Sequence, residues 1–193
     1  MPAACRDGCG TTTKCERTHY DLPDGSGDVI LERVEHTFSF ARRDAASSAA
    51  GAGGDGGWSP LAATNVPDVG ANLNAGALPD GRVYLTSNAC PRNGQGHGRD
   101  PLTVATSPDG FAFDQAWAVM SCEGLGQCGC RIPGLSKNDG PSYPQAVTVT
   151  KPASMAGLYI VATNNKEDVV VVRVPFDSLG LGGTVASVRQ HLE

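Results

Sequence analysis

The feature that most constrains the fold of this chain is a series of short β-type runs that alternate with strong turn signals. The runs are rich in β-branched and aromatic residues, as in GRVYLTSN (81–88), PLTVATS (101–107) and DVVVVRV (168–174). The turn sequences LPDGR, SPDGF and NNKED separate them. The chain also carries 25 glycines and 13 prolines, which interrupt helices. These patterns together predict an all-β fold.

The order of the runs predicts antiparallel meanders, which are the unit of a propeller blade. Other strand candidates are DVILERVEHTFSF (28–40, a strand or strand pair), FDQAWAVM (113–120), YPQAVTVT (143–150) and GLYIVATN (157–164). A blade takes about 40–50 residues, so we expect about three four-stranded blades. Because three blades do not close a propeller, the remaining blades would come from a longer chain or a partner. A β-sandwich of about seven strands is the alternative.

The domain organisation that we expect has three parts. Residues 1–27 are predicted to be irregular, 28–176 to form the partial propeller, and 177–193 to be a tail. The low-complexity sequence AASSAAGAGGDGG at 45–57 is predicted to be an insertion within the propeller. Only the tail segment 183–193 has a pattern that could be helical.

Composition excludes several classes of function. A net charge of −5 argues against nucleic-acid binding, which needs a basic face. No apolar run is long enough to span a membrane. The start of the chain lacks the apolar core of a signal peptide, which leaves the compartment open. Two G-x-G-x-x-G matches, at 51–56 and 124–129, are not followed by a helix, so we expect no dinucleotide cofactor. The scattered histidines indicate no metal site.

The cysteines leave three alternatives open. There are seven, an odd number, at positions 5, 9, 15, 90, 122, 128 and 130. Their spacing matches no standard zinc pattern. Loop disulfides, plain thiols and, less favoured, a metal site are the possible readings.

One turn carries a recognisable motif, SPDGFAF at 107–113. Ser107 and Asp109 are suited to accept backbone N–H groups, Gly110 to adopt a positive φ, and Phe113 to pack inward between blades. The pattern resembles the Asp-box, the S-x-D-x-G-x-x-W turn of sialidases and other BNR-repeat propellers, although it is shorter than that motif. DGGWSP at 55–60, with Trp58, resembles a degraded second copy. The role we expect for this turn is structural.

Longer stretches extend the resemblance over roughly residues 55–176. TNVPDVGANLNAGALPDGRVYLTSN, RDPLTVATSPDGFAFD, YPQAV and GLYIVATNNKEDVVVVRVP are similar in order and spacing to the C-terminal half of sialidase-like BNR proteins. The resemblance implies part of a six-bladed propeller that removes terminal sialic acid, or a related acidic sugar, from glycans. In that superfamily three arginines bind the carboxylate, a tyrosine assisted by a glutamate attacks the anomeric carbon, and an aspartate is the acid/base.

Two residues match the positions of this machinery. Arg99 resembles the last arginine of the triad, because it lies between the GRVYLTSN strand and the Asp-box hairpin; alternatively it is solvated, or paired with Asp100 or Glu123. Tyr143 resembles the nucleophile at the start of the next blade. Its alternative role is a core or rim tyrosine whose hydroxyl bonds to the backbone.

Weaker candidates complete the predicted site. Lys166 and Glu167, in the NNKED turn, would contact polar groups of the sugar, or else form a solvated local pair. Asn72 and Asn74 would line the same pocket. No arginine lies between Asn65 and Gly81, where the middle member of the triad is expected, and Arg42 and Arg43 are uncertain substitutes. No motif identifies the acid/base among Asp7, Asp21, Asp24 and Asp28. The alternative function is therefore a non-catalytic carbohydrate-binding or protein-interaction propeller, or an inactive fragment.

Overall fold

The computed structural model describes residues 17–34, 37–46, 57–67, 71–88, 99–126, 129–132, 134 and 139–181. In these ranges the chain forms eleven strands and two short 3-10 helices, Ala153–Met155 and Phe176–Leu179. The strands are β1 Arg17–Asp21, β2 Gly27–Val34, β3 Thr37–Asp44, β4 Ala62–Pro67, β5 Asn74–Ala77, β6 Val83–Ser87, β7 Leu102–Ser107, β8 Gln115–Met120, β9 Pro141–Val149, β10 Gly157–Asn164 and β11 Asp168–Val174.

The strands form three antiparallel sheets that follow one another along the chain. The first sheet has the order β1-β2-β3-β4 and the second β5-β6-β7-β8, while the third consists of β9, β10 and β11 with β10 in the middle. Each neighbour in a sheet is also a neighbour in sequence, which is the meander that hairpin turns produce. The prediction of an all-β fold with four-stranded antiparallel sheets is confirmed.

The second sheet lies between the other two, and its two middle strands, β6 and β7, are buried on both faces. Val83 and Leu85 of β6 pack with residues of the first sheet, including Leu31 and Phe38. Tyr84, which points to the opposite face, packs with residues of the third sheet such as Leu158. Further members of this second core cluster are Leu102, Val104, Met120 and Ile160. Two hydrophobic cores therefore join three stacked sheets.

The outer face of the third sheet is exposed and partly apolar. Val147, Val161, Val169 and Val171 are between 40% and 73% exposed. β11 alternates between half-buried and exposed positions up to buried Val174. This face therefore differs from both faces of β6 and β7 in the second sheet.

Three strands were not expected from the sequence. β1 lies in the segment 1–27 that we expected to be irregular, and β4 and β5 lie in stretches without a strand pattern. Their sequences, RTHYD, AATNVP and NAGA, contain few β-branched or aromatic residues. They are strands because neighbouring strands offer backbone partners: β1 and β5 pair along their whole length with β2 and β6, and β4 pairs with β3 across a register shift.

Some expectations lie outside the described residues. These are the helical tail segment, most of the low-complexity insertion, and the cysteines other than Cys122 and Cys130. Cys122 is disulfide-bonded, so the disulfide alternative holds for at least this cysteine. In the part of the chain that the structure describes, no helix has the length and apolarity that a membrane crossing requires.

Candidate functional site

Tyr143 lies at a β-bulge near the start of β9. Val161 of β10 pairs with Gln145 and Thr163 pairs with Ser142, so that two residues of β9, Tyr143 and Pro144, oppose one residue of β10. Tyr143 has a φ of 57°, in the left-handed region that a residue with a side chain rarely adopts. A bulge of this kind re-aims a side chain out of the regular alternation of the strand.

Lys166 lies in the tight turn between β10 and β11. The N–H of Glu167 donates to the carbonyl of Asn164 at 2.9 Å, and the two central residues, Asn165 and Lys166, have φ values of 54° and 56°. This is the pattern of a type I′ turn, whose second central position normally takes glycine. The ammonium nitrogen of Lys166 lies 5.4 Å from the centroid of the Tyr143 ring.

Arg99 approaches the same tyrosine from the segment before β7. Its guanidinium carbon lies 4.9 Å from the centroid of the Tyr143 ring. Nη1 of Arg99 is buried and has no hydrogen-bond partner in the described ranges. A buried guanidinium N–H without an acceptor is costly, and an anionic ligand beside it would remove that cost. The structure thus brings together Arg99, Tyr143 and Lys166, and we call these three residues the Tyr143 cluster.

Three residues that sequence reasoning missed hold the cluster in place. The side-chain amide of Asn88, at the end of β6, donates to the carbonyls of Arg99 at 2.8 Å and Pro141 at 3.0 Å. Asn165 Oδ1 accepts the N–H of Gly140 at 2.7 Å. The backbone of Gly140 is packed so closely against Arg99 that a Cβ there would lie 2.9 Å from the Arg99 carbonyl oxygen. Asparagine in a turn and glycine before a strand are common, so no local signal singles these residues out.

The two cations change the acidity of the phenol. Hydrogen bonding from Arg99 is the largest effect, and it is joined by the positive charges of Arg99 and Lys166. Together they outweigh the effect of burial and hold the pKa of Tyr143 below its ordinary value of 10.0. Tyr143 therefore loses its proton more readily than a tyrosine in water.

The structure places the other predicted site residues differently. Glu167, whose side chain is 1% exposed, accepts from the backbone N–H of Arg131 at 3.0 Å and of Ile132 at 2.8 Å. Asn74 Oδ1 accepts the N–H of Ala146 at 3.0 Å and so links β5 to β9. Asn72 Oδ1 accepts the N–H of the next residue, Leu73. These three side chains are engaged in hydrogen bonds with backbone N–H groups.

The Asp109 turn, residues 107–113, is a closed network of hydrogen bonds. Asp109 Oδ1 accepts the N–H groups of Phe111 at 2.8 Å and Ala112 at 2.9 Å, and the hydroxyl of Ser107 donates to the same oxygen. Ser107 Oγ accepts the N–H of Gly110, which has a φ of 80°. Burial opposes ionisation of Asp109, but these hydrogen bonds outweigh it and lower its pKa. Phe113 is 7% exposed in the core between the first and second sheets.

The arginines and acids of the first sheet pair with each other. Arg43 donates to both carboxylate oxygens of Asp28, at 3.1 and 2.7 Å, and its guanidinium lies 4.8 Å from the centroid of Trp58. Ligand atoms of His19, Asp21 and Asp28 lie within 4.8 Å of one another, close enough to hold a metal ion. The hydrogen bond from Arg43 lowers the pKa of Asp28 most, with His19 adding to it. Because Arg43 already neutralises Asp28, a cation would have to compete with it.

Comparison with known proteins agrees with this architecture. The family model of the BNR repeat-like domain matches residues 25–155, which include all of the strands β2 to β9. No curated protein and no solved structure is significantly similar to the chain. The match covers more than half of the chain and includes the Asp109 turn, Arg99 and Tyr143, and on this ground the chain belongs to the BNR repeat-like domain family.

Proposed function

We propose that this protein is a sialidase-type glycoside hydrolase that removes terminal sialic acid, or a related acidic sugar, from glycans. The observation that carries the proposal is the buried Arg99 Nη1, which lacks a partner among the described residues and belongs to the guanidinium 4.9 Å from the Tyr143 ring. A carboxylate on the substrate would give this N–H an acceptor beside a phenol of lowered pKa.

In this proposal Arg99 binds the substrate carboxylate. A guanidinium presents a planar fork of N–H donors that matches a carboxylate, and a charge-assisted pair of this kind is stronger than a neutral hydrogen bond. The pair would place the anomeric carbon, to which the carboxylate is attached, near the phenol oxygen. The remaining arginines of a carboxylate triad are not assigned.

Tyr143 is the nucleophile of the proposed reaction. Its oxygen bonds to the anomeric carbon and gives its proton to solvent while the bond to the leaving-group oxygen breaks, and the leaving-group oxygen takes a proton from a general acid that we leave unassigned. Water then gives a proton to the conjugate base of that acid and displaces the phenol oxygen, which takes a proton from solvent, so that two inversions retain the configuration. A phenol is suited to this step because a carboxylate nucleophile would be repelled by an anionic substrate.

A mechanism-based trap tests the proposal most directly. We expect a fluorosialyl fluoride to add one glycosyl mass to the protein, with the label on Tyr143 in peptide mass spectrometry, and Tyr143→Phe to remain unlabelled. Hydrolysis of a methylumbelliferyl sialoside should fall by roughly three orders of magnitude or more in that variant. Tyr159→Phe is the matched control, since the Tyr159 hydroxyl donates to the Met155 carbonyl in a different place.

Arg99→Lys tests the carboxylate contact. Lysine keeps the charge but loses the fork, so we expect kcat/KM to fall roughly 10- to 100-fold, with Arg173→Lys unchanged as control. A uronide substrate in parallel distinguishes sialic acid from another acidic sugar. Binding of sialic acid without labelling and without turnover would contradict the catalytic proposal and favour a carbohydrate-binding module.

A further inference from the structure

The backbone of Lys166 has a positive φ, which the turn requires but which glycine would adopt with less strain than lysine. Glycine adopts the second central position of a type I′ turn without cost, whereas any residue with a Cβ is strained there. Lys166 nevertheless occupies it, with a φ of 56°. Strain of this kind persists only where the surrounding structure holds the residue in place, and it occurs often at functional sites.

Tyr143 is strained in the same sense and faces Lys166. Its φ of 57° lies in the same left-handed region. Lys166 and Arg99 both lie against its ring, at 5.4 and 4.9 Å from the centroid. Two strained segments therefore meet at one aromatic ring.

The acids of the neighbouring segments are occupied by other partners. Glu167 and Asp168 pair with Arg131, and Asp100 Oδ1 accepts the N–H of Cys122. Asp139 contacts the sulfur of Cys130. The charged groups that act on the phenol of Tyr143 are thus both cations, Arg99 and Lys166.

We propose that Lys166 is a positioning residue for Tyr143, whose ammonium stabilises negative charge on the phenol oxygen in place of a neighbouring base. This inference deepens the proposed function and rests on it for its catalytic meaning. When a substrate carboxylate binds Arg99, it neutralises the positive field of that guanidinium at the ring. Lys166 would then be the cation that still acts on the phenol oxygen in the complex.

Spectroscopic titration of the tyrosines tests this without any enzyme assay. The chain has four tyrosines, and burial raises the pKa of Tyr84 to about 12 and that of Tyr20 further still. The rise in phenolate absorbance that disappears in Tyr143→Phe belongs to the deprotonation of Tyr143. We call this rise in the titration curve the Tyr143 step. We expect this step below the ordinary tyrosine range in the natural protein, and at higher pH in both Lys166→Met and Lys166→Gly. Lys166→Arg should restore it, and Lys151→Met, at an exposed lysine, should not move it.

Lys166→Gly separates this role from a merely structural one. Since glycine suits the turn, we expect this variant to melt at the same or a higher temperature while its Tyr143 step still moves up. A Tyr143 step that stays in place in both Lys166→Met and Lys166→Gly would overturn the proposal, as would failure of Lys166→Arg to restore it.

The titration is repeated with saturating sialic acid to relate it to function. In the complex we expect the Tyr143 step to stay at lower pH in the natural protein than in Lys166→Met, because Lys166 still acts on the phenol after the carboxylate has neutralised Arg99. Tyr143 steps at the same pH in the two complexes would overturn the role in the complex. If sialic acid does not bind, the proposed function fails, and the ligand-free titrations still decide whether Lys166 acts on Tyr143.

Discussion

One tyrosine bonds to the Asp109 turn and another belongs to the Tyr143 cluster, and their surroundings shift the two pKa values in opposite directions. The hydroxyl of Tyr20 donates to the carbonyl of Gly110 in the turn, at 3.0 Å. Burial, together with the nearby charge of Asp109, raises its pKa. Tyr143 instead faces two cations that lower its pKa. One region keeps its phenol neutral and bonded, and the other favours the phenolate.

The two regions also place backbone strain differently. In the turn the left-handed position is occupied by Gly110, as its geometry requires. In the described ranges, the non-glycine residues with positive φ are Tyr143, Asn165 and Lys166, and all three belong to the cluster or its support. The scaffold turn has glycine at its positive-φ position, whereas the region where we place the function has residues with side chains at such positions. Four predictions test this contrast.

Gly140→Ala should have the largest effect because it disturbs the support of the cluster. The new Cβ would lie 2.9 Å from the Arg99 carbonyl oxygen at a φ of 92°. Left-handed strain and overpacking together should cost about 3 kcal/mol, as measured by urea unfolding. Displacement of Arg99 should also raise the Tyr143 step. The matched control is Gly126→Ala, at a φ of 69° with no atom within 4 Å, which should show only the strain of about 1 kcal/mol.

Asp109→Ala should have a smaller effect that is confined to the scaffold. It removes the acceptor of two backbone N–H groups and the Ser107 hydroxyl, and should cost about 2 kcal/mol at neutral pH. Because the folded pKa of Asp109 is lowered, its contribution is present above the unfolded pKa and is lost as pH falls through the folded pKa. The difference between the two proteins should therefore shrink in acid. A shifted Tyr143 step in this variant would contradict the separation of the two regions.

How much the sequence predicts differs between the same two regions. The β-branched runs predict β10 and β11 at their observed bounds, and the Asp109 turn follows from residues that are close in sequence. The Tyr143 cluster depends on a bulge and on a lysine at a position where turn rules expect glycine. The pairing of Glu167 with Arg131 joins residues 36 apart. Short-range sequence patterns do not predict contacts between distant residues. Arg99 and Tyr143 were therefore indicated only by the resemblance to sialidase-like BNR proteins.

Tyr84→Phe compares a scaffold phenol with Tyr143 through its pH dependence. The Tyr84 hydroxyl donates to the Ala146 carbonyl at 3.0 Å, so its loss should cost about 1 kcal/mol at neutral pH. Burial raises its pKa from 10.0 to about 12, so its stabilisation is complete below 10 and is lost as pH rises towards 12. The cost of the substitution should therefore diminish over that interval. For Tyr143→Phe the sign is opposite, and the cost should grow as pH rises through the folded pKa towards 10.

The smallest effect should come from comparing glycine with alanine at position 143. In an ordinary strand glycine is less stable than alanine by about 0.5–1 kcal/mol, and the exposed Val147 of the same strand supplies that control. At position 143 the positive φ penalises alanine by roughly 1–2 kcal/mol. Tyr143→Gly should therefore be more stable than Tyr143→Ala by about 0.5 kcal/mol, a reversal of sign that thermal unfolding of the four variants measures. If alanine is the more stable residue at both positions, the bulge is not strained. The proposed difference in backbone strain between the Asp109 turn and the Tyr143 cluster would then be contradicted.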